Sequence, residues 1–104
     1  MTLMPWNGSS RFNFNQLAVN ANAPATSGVY ALFNDGKWIY FGESENIQVR
    51  LTQHINNETN LCVARNRPQF FAFQLVAGAL QRKARQNALI LEFWNLGLCN
   101  EKLG

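Results

Sequence analysis

Four side chains carry the types and spacing from which chemistry can be built: Tyr30, Tyr40, Arg50 and His54. The guanidinium of an arginine stays charged, and its fork binds two oxygens of a phosphate at once. An imidazole relays a proton near neutral pH or holds a phosphate. A phenol orients a water, but with an ordinary pKa of about 10 it is a poor base until a cation lowers it. Gathered round one point, these groups suit hydrolysis of a phosphodiester. That reaction needs a nucleophilic water, fixed positive charge for a pentacovalent phosphate, and neutralisation of the leaving oxyanion. Taken singly, each residue has a plain structural explanation, since tyrosines populate sheets while arginine and histidine populate helix surfaces. Only their convergence would mean chemistry.

The elements that must bring them together are a β-hairpin and one helix. Residues 29–33 and 37–41 are rich in β-branched and aromatic side chains, with Asn34, Asp35 and Gly36 as turn residues between them. A two-residue turn at Asp35 and Gly36 would pair Asn34 with Lys37 and set Tyr30 opposite Phe41. A three-residue loop with Gly36 left-handed would pair Phe33 with Lys37 and set Tyr30 opposite Tyr40. The second register puts both hydroxyls on one face, and it is the expected one. Gly42 follows, where a missing side chain admits a ligand or another backbone. A helix over 45–55 comes next, with Ser44 as its N-cap. Ile47, Leu51 and Ile55 form its buried stripe, and Arg50 and His54, four apart, share the adjacent face.

The ordered set Gly28-Val29-Tyr30, Tyr40-Phe41-Gly42, Asn46-Ile47, Arg50-Leu51 and His54 resembles the pattern of the GIY-YIG nuclease family. The resemblance runs over residues 28–100. It implies an α+β fold, a divalent-metal-dependent endonuclease acting on DNA, and one bound cation, Mg²⁺ or Mn²⁺. It also implies Tyr30, Tyr40, Arg50 and His54 as site residues, joined by a metal-binding glutamate from a later helix. Two alignments compete for that glutamate. One puts Gln86 in its place, and the other puts Glu92 there. They lie six positions apart, roughly 240° round a helix, so they cannot both face one site. Glu92 preserves the ligand. Gln86 instead makes the chain a catalytically impaired, nucleic-acid-binding module of the same fold.

The rest of the chain sets the frame. At 104 residues and 47% hydrophobic content it makes one small domain with one core. Residues 1–26, poor in charge and rich in Asn, Ser and Ala, read as an arm packing on a domain of residues 27–104, with Trp6 as its anchor and Phe12, Phe14 and Leu17 in a short helix or an extended stretch lying on the domain. Residues 56–68 read as a loop, 69–76 as a third strand and 79–96 as a last helix, with Gly78 and Gly97 as breaks. The fold class is therefore α+β, a three-stranded antiparallel sheet flanked by helices in the order β-β-α-β-α. The net charge of +3 mildly favours a polyanion. Arg65, Arg67, Arg82, Lys83 and Arg85 form a candidate phosphate-tracking stripe whose plain alternative is a solvated face.

Nucleic acid, DNA before RNA, is the expected partner. So small a domain needs a homodimer or a partner DNA-binding protein for sequence recognition. No apolar run suggests a membrane span. Cys62 and Cys99 have neither zinc spacing nor a disulfide framework, which suggests two free thiols in a cytoplasmic protein. An interaction domain using the tyrosines and the apolar arm as a protein-binding surface is the remaining alternative.

Overall fold

A computed structural model describes residues 11–100. Its elements in chain order are β1 (Phe12–Asn13), α1 (Gln16–Asn22), β2 (Gly28–Asn34), β3 (Lys37–Ser44), α2 (Ile47–Asn56), α3 (Leu61–Asn66), β4 (Phe70–Leu75) and α4 (Ala79–Glu92), followed by a 3-10 turn at Trp94–Leu96. The strands form one antiparallel sheet in the order β1-β4-β2-β3. The expected three-stranded sheet thus gains a two-residue edge strand, in which Phe12 pairs with Phe71. No helix among the described residues is long and apolar enough to cross a membrane.

Alternation along the strands divides the core in two. Val29, Ala31 and Phe33 point to one face and pack with Trp38, Phe41, Ala72, Leu89 and Ile90 under α4. Tyr30 and Leu32 point to the other and pack with Ile39, Ile47, Leu51, Val63 and Phe71, together with Val19 and Ala23 of the α1 region. Strand β4, expected over 69–76, alternates in the same way, with Phe71 and Phe73 on the second face and Phe70 and Ala72 on the first. Leu17 was expected to lie on the domain, but it is 82% exposed. Val19 instead anchors α1. Trp6 lies outside the described residues.

The hairpin register departs from the expected one. Asn34 pairs with Lys37 and Phe33 with Trp38, so the turn is the two-residue Asp35-Gly36 connection, with Gly36 at φ 73°. Left uninterrupted, this register would send Tyr40 to the face opposite Tyr30. A bulge intervenes: the next pairs are Leu32 with Tyr40 and Tyr30 with Gly42, which leaves Ile39 as the extra residue of β3. One extra residue reverses the alternation beyond it. Trp38 and Phe41 therefore stay under α4 while Ile39 and Tyr40 both face Tyr30's side. The common face that a three-residue loop was expected to provide comes from the bulge.

Helix α2 begins two residues later than expected. Its N-cap is Asn46, whose side chain accepts from Val49 N–H at 3.0 Å. A cap of this kind is worth about 1 kcal/mol. Ser44 accepts from the Asn46 N–H and fixes the turn before the helix. Ile47 and Leu51 are fully buried and Ile55 packs against their cluster. The segment read as a loop over 56–68 holds α3, capped by Asn60 at the N–H groups of Cys62 and Val63 and closed by Arg67 at φ 46°. Six residues with one buried side chain give too little periodicity to read from sequence.

The two cysteines overturn the expectation of free thiols: Cys62 and Cys99 form a disulfide. They are 37 residues apart, a spacing that says nothing until the chain after α4 returns to the free edge of β3. There Cys99 N–H donates to Ile39 C=O at 2.7 Å, and the Asn100 side chain accepts from Phe41 N–H and donates to Phe41 C=O. These bonds satisfy backbone groups that an open edge would leave bare.

Candidate active site

Arg50, His54 and Tyr40 line one cleft of about 490 Å³, together with Gln53, Asn57, Glu58, Thr59 and Asn60. The cleft lies over the C-terminal half of α2 and the segment that follows it. The (i, i+4) spacing expected to align Arg50 with His54 does so. Arg50 is exposed, and its Nη1 donates to Gln53 Oε1 at 3.3 Å.

Tyr30 stands behind this cleft, 1% exposed. Its hydroxyl is 2.7 Å from His54 Nε2, and its ring centroid is 6.4 Å from that of Tyr40. The Tyr40 ring lies edge-on to His54, at 5.4 Å. The sheet and α2 thus bring together all four residues singled out by type and spacing. Gly42 makes room for this packing, although its role differs from the expected one. A Cβ there would collide with the Tyr30 hydroxyl, so the space serves Tyr30's own phenol and admits no ligand or second backbone.

Burial raises the Tyr30 pKa well above its ordinary 10.0, and the neighbouring Tyr40 adds to the rise while Arg50 opposes it. Burial also raises Tyr40, again opposed by Arg50. The balance goes against a tyrosinate base. Both phenols serve as neutral hydrogen-bonding groups at physiological pH.

Sequence reasoning missed Glu58. Its Oε1 is 2.7 Å from His54 Nδ1, and its Oε2 accepts from the Asn60 N–H at 3.0 Å. The side chains of His54 and Glu58 are only 11% and 14% exposed. The signal available was a carboxylate four residues after a histidine, the spacing of a helical pair, but it falls beyond the helix end.

Helix α4 places the other candidates away from the cleft. It packs on the sheet face opposite Tyr30 and Tyr40, and none of its residues lines the cleft. Gln86 is 8% exposed, and its amide donates to Asn87 Oδ1. Glu92 closes the helix with its side chain exposed. Arg82, expected on a basic stripe, is buried, with its Nε 2.8 Å from Glu43 Oε1 and its Nη1 donating to Ser27 Oγ. It pins α4 to the sheet. Arg85 donates to Gln74 Oε1, whereas Arg65, Arg67 and Lys83 are exposed.

A divalent cation demands hard, mostly anionic oxygens, commonly one or two carboxylates completed by water or substrate phosphate. Among the described residues no three His, Cys, Asp or Glu side chains gather to hold one. Gln86 is neutral, Glu92 lies outside the cleft, and Glu58 is the one carboxylate that lines it. The donor set does not fit a cation held by the protein alone.

The model of the GIY-YIG catalytic domain matches residues 26–94. No curated protein sequence matches the chain. Among solved structures, the chain is similar to the GIY-YIG N-terminal endonuclease domain of UvrC from Thermotoga maritima. A tyrosine-to-phenylalanine variant of that domain, bound to its catalytic divalent cation, aligns with a TM-score of 0.67 at 20% identity, covering 81% of this chain and 96% of that one. A second such variant gives 0.67 at 19% identity over the same shares. The magnesium-bound form gives 0.63 at 21%, covering 73% and 90%. At these identities the likeness establishes the fold, while the family model, which spans more than half the sequence, establishes the kinship: the chain belongs to the GIY-YIG catalytic domain family.

Proposed function

We propose that this protein is an endonuclease of GIY-YIG type that hydrolyses phosphodiester bonds in nucleic acid, with DNA as the first choice. The observation that supports this most is the convergence of Tyr40, Arg50 and His54 in one cleft, with Tyr30 hydrogen-bonded to His54 behind it. In this reading Arg50 meets the non-bridging phosphate oxygens and offsets the charge that grows on them. Its exposed guanidinium is free to form the bidentate contact. Tyr40 orients the attacking water as a neutral phenol. Tyr30 and His54 brace the arginine and the second phenol from behind. Exposed Arg65, Arg67 and Lys83 are available to meet backbone phosphates.

A divalent cation, Mg²⁺ or Mn²⁺, accompanies this reading because the similar UvrC domains are bound to one. The described residues do not by themselves form its cage. Purified protein incubated with supercoiled plasmid and either cation should nick it, and chelation should stop the nicking. Absence of cutting in both cations, or equal cutting by Arg50→Ala, overturns the reading.

A second reading rests on Gln86. If the family's carboxylate position is filled by this neutral, buried amide, the domain binds nucleic acid without cutting it. Salt-sensitive retardation of DNA with no cleavage supports that alternative, whereas affinity indifferent to salt removes the phosphate contacts from both. A homodimer or a DNA-binding partner remains the proposed source of recognition area. As to compartment, the cytoplasmic expectation rested on free thiols. A closed Cys62–Cys99 bond belongs in an oxidising environment. Mass spectrometry of protein alkylated at harvest distinguishes the two settings.

A further inference from the structure

The contact between His54 and Glu58 has the spacing of an ordinary (i, i+4) surface pair, which is worth a few tenths of a kcal/mol. Three observations set it apart. Both side chains are largely buried. Both carboxylate oxygens are committed, one to the ring and the other to the Asn60 N–H. The far side of the ring meets the Tyr30 hydroxyl at hydrogen-bond distance. An ionised carboxylate only accepts hydrogen bonds, so the proton of the neutral ring must sit on Nδ1. That leaves Nε2 as an acceptor, and the Tyr30 O–H must donate to it.

We propose that Glu58 is a positioning residue, which holds His54 as the Nδ1–H tautomer and thereby turns the Tyr30 oxygen toward the Arg50 guanidinium. The inference rests on the reading of this cleft as the active site. The hydrogen bonds run in one direction. Tyr30 donates to His54, and His54 donates to Glu58. The lone pairs of the Tyr30 oxygen are then left for the guanidinium, whose charge already favours the phenolate form of Tyr30 against the effect of burial. Arg50 is otherwise exposed and held by a single long bond to Gln53. A charged anchor behind Tyr30 therefore restricts the arginine before a phosphate arrives, and pre-ordering of this kind lowers the cost of reaching the transition state.

The same two bonds hold the Glu58 carboxylate in place. Asn60 is itself fixed, since its Oδ1 caps α3 and its Nδ2 donates to Cys99 C=O beside the disulfide. The anchor thus hangs from a corner tied by the disulfide and by the Asn60 bonds.

His54 is the only histidine in the chain, so its imidazole nitrogens give a single unambiguous set of NMR signals. With the ring neutral, wild-type protein should show Nδ1 protonated and Nε2 bare. In Glu58→Gln the amide oxygen takes the Asn60 N–H and the NH₂ faces Nδ1, so the ring should switch to Nε2–H. A wild-type ring protonated on Nε2, or a tautomer unmoved by the substitution, overturns the proposal. The kinetic counterpart is a fall in kcat for plasmid nicking of about 10²-fold, with KM within about threefold. Glu58→Ala, checked for folding by circular dichroism, should show a loss of the same order. Equal loss in KM and none in kcat would mean that Glu58 shapes only the cleft wall. Because the tautomer is read without substrate, a correct tautomer in a protein that cuts nothing sinks the nuclease reading and leaves the positioning role standing.

Discussion

The two faces of the sheet are built from alternate residues of the same strands, yet they differ in kind. Under α4 the packing is apolar throughout its centre. Trp38, Phe41 and Phe93 lie with ring centroids 5.4–5.6 Å apart, and Leu89 and Ile90 close over them. The polar side chains buried there, Arg82 and Gln86, lie on α4, and Arg82 is neutralised by Glu43. On the opposite face a similar apolar floor of Leu32, Leu51 and Phe71 carries a polar superstructure: Tyr30, His54, Glu58 and Asn60, each bonded to the next. Burying that many polar atoms costs free energy unless every one is paired, and here the pairs run in a chain. One face supplies stability and the other directs hydrogen bonds. The bulge at Ile39 decides which of them receives Tyr40.

This division is broken most directly by exchanging an effect on activity for one on stability. Arg50→Ala should cut plasmid nicking by about 10²–10³-fold, the usual cost of removing one preorganised charge or donor from a phosphate or oxyanion, while leaving the urea midpoint unchanged. Leu89→Ala should do the reverse, losing about 2–5 kcal/mol of stability with unchanged activity per folded molecule. If Leu89→Ala instead lowers kcat in protein shown to be folded, the two faces are coupled and the separation fails. A smaller effect is expected at the seam between them. Gly42→Ala drives a methyl group into the Tyr30 hydroxyl, an overpacking cost of about 1–3 kcal/mol, and it should also break the Tyr30–His54 bond. A shifted Nε2 signal with Nδ1 still protonated in this variant would confirm the second effect, because Glu58 still holds the tautomer.

How far the sequence revealed each face follows from the range of the forces involved. Strand β4, the buried stripe of α2 and the alignment of Arg50 with His54 rest on periods of two and 3.6, which act within one element. They were legible. The bulge was not, because a two-residue turn followed by an extra residue at Ile39 and a three-residue loop without one deliver Tyr40 to the same face. Asn46 was hidden as a cap by Ser44, two residues earlier and equally suited by type. The disulfide, the edge bonds of Asn100 and the bond between Tyr30 and His54 join residues 24 to 59 positions apart, which only the folded topology brings together. The stripe of five basic residues failed at Arg82 for a related reason: its partner Glu43 lies 39 positions away.

The smallest expected effect tests the chemistry assigned to the phenols, and it sharpens the contrast because tyrosine is found only at Tyr30 and Tyr40. Burial raises both pKa values from 10.0 in the folded protein, whereas in the unfolded chain each titrates near that ordinary value. Below about pH 10 both states keep their phenolic protons and the contribution to stability is fully present. Above it the unfolded chain sheds protons that the native state retains, so stability falls as pH rises, by up to about 1.4 kcal/mol per pH unit for Tyr30. Absorbance at the phenolate band should therefore stay flat past pH 10 in folded protein and rise normally in denaturant. Tyr30→Phe should flatten the corresponding alkaline loss of stability, while Lys and Arg contributions remain common to both proteins. A phenolate signal appearing at ordinary pH in protein that is still folded would mean that Arg50 outweighs burial. The tyrosine face would then contain a base after all, and the roles given to Tyr40 and Arg50 would have to be exchanged for those of a base and its activating charge.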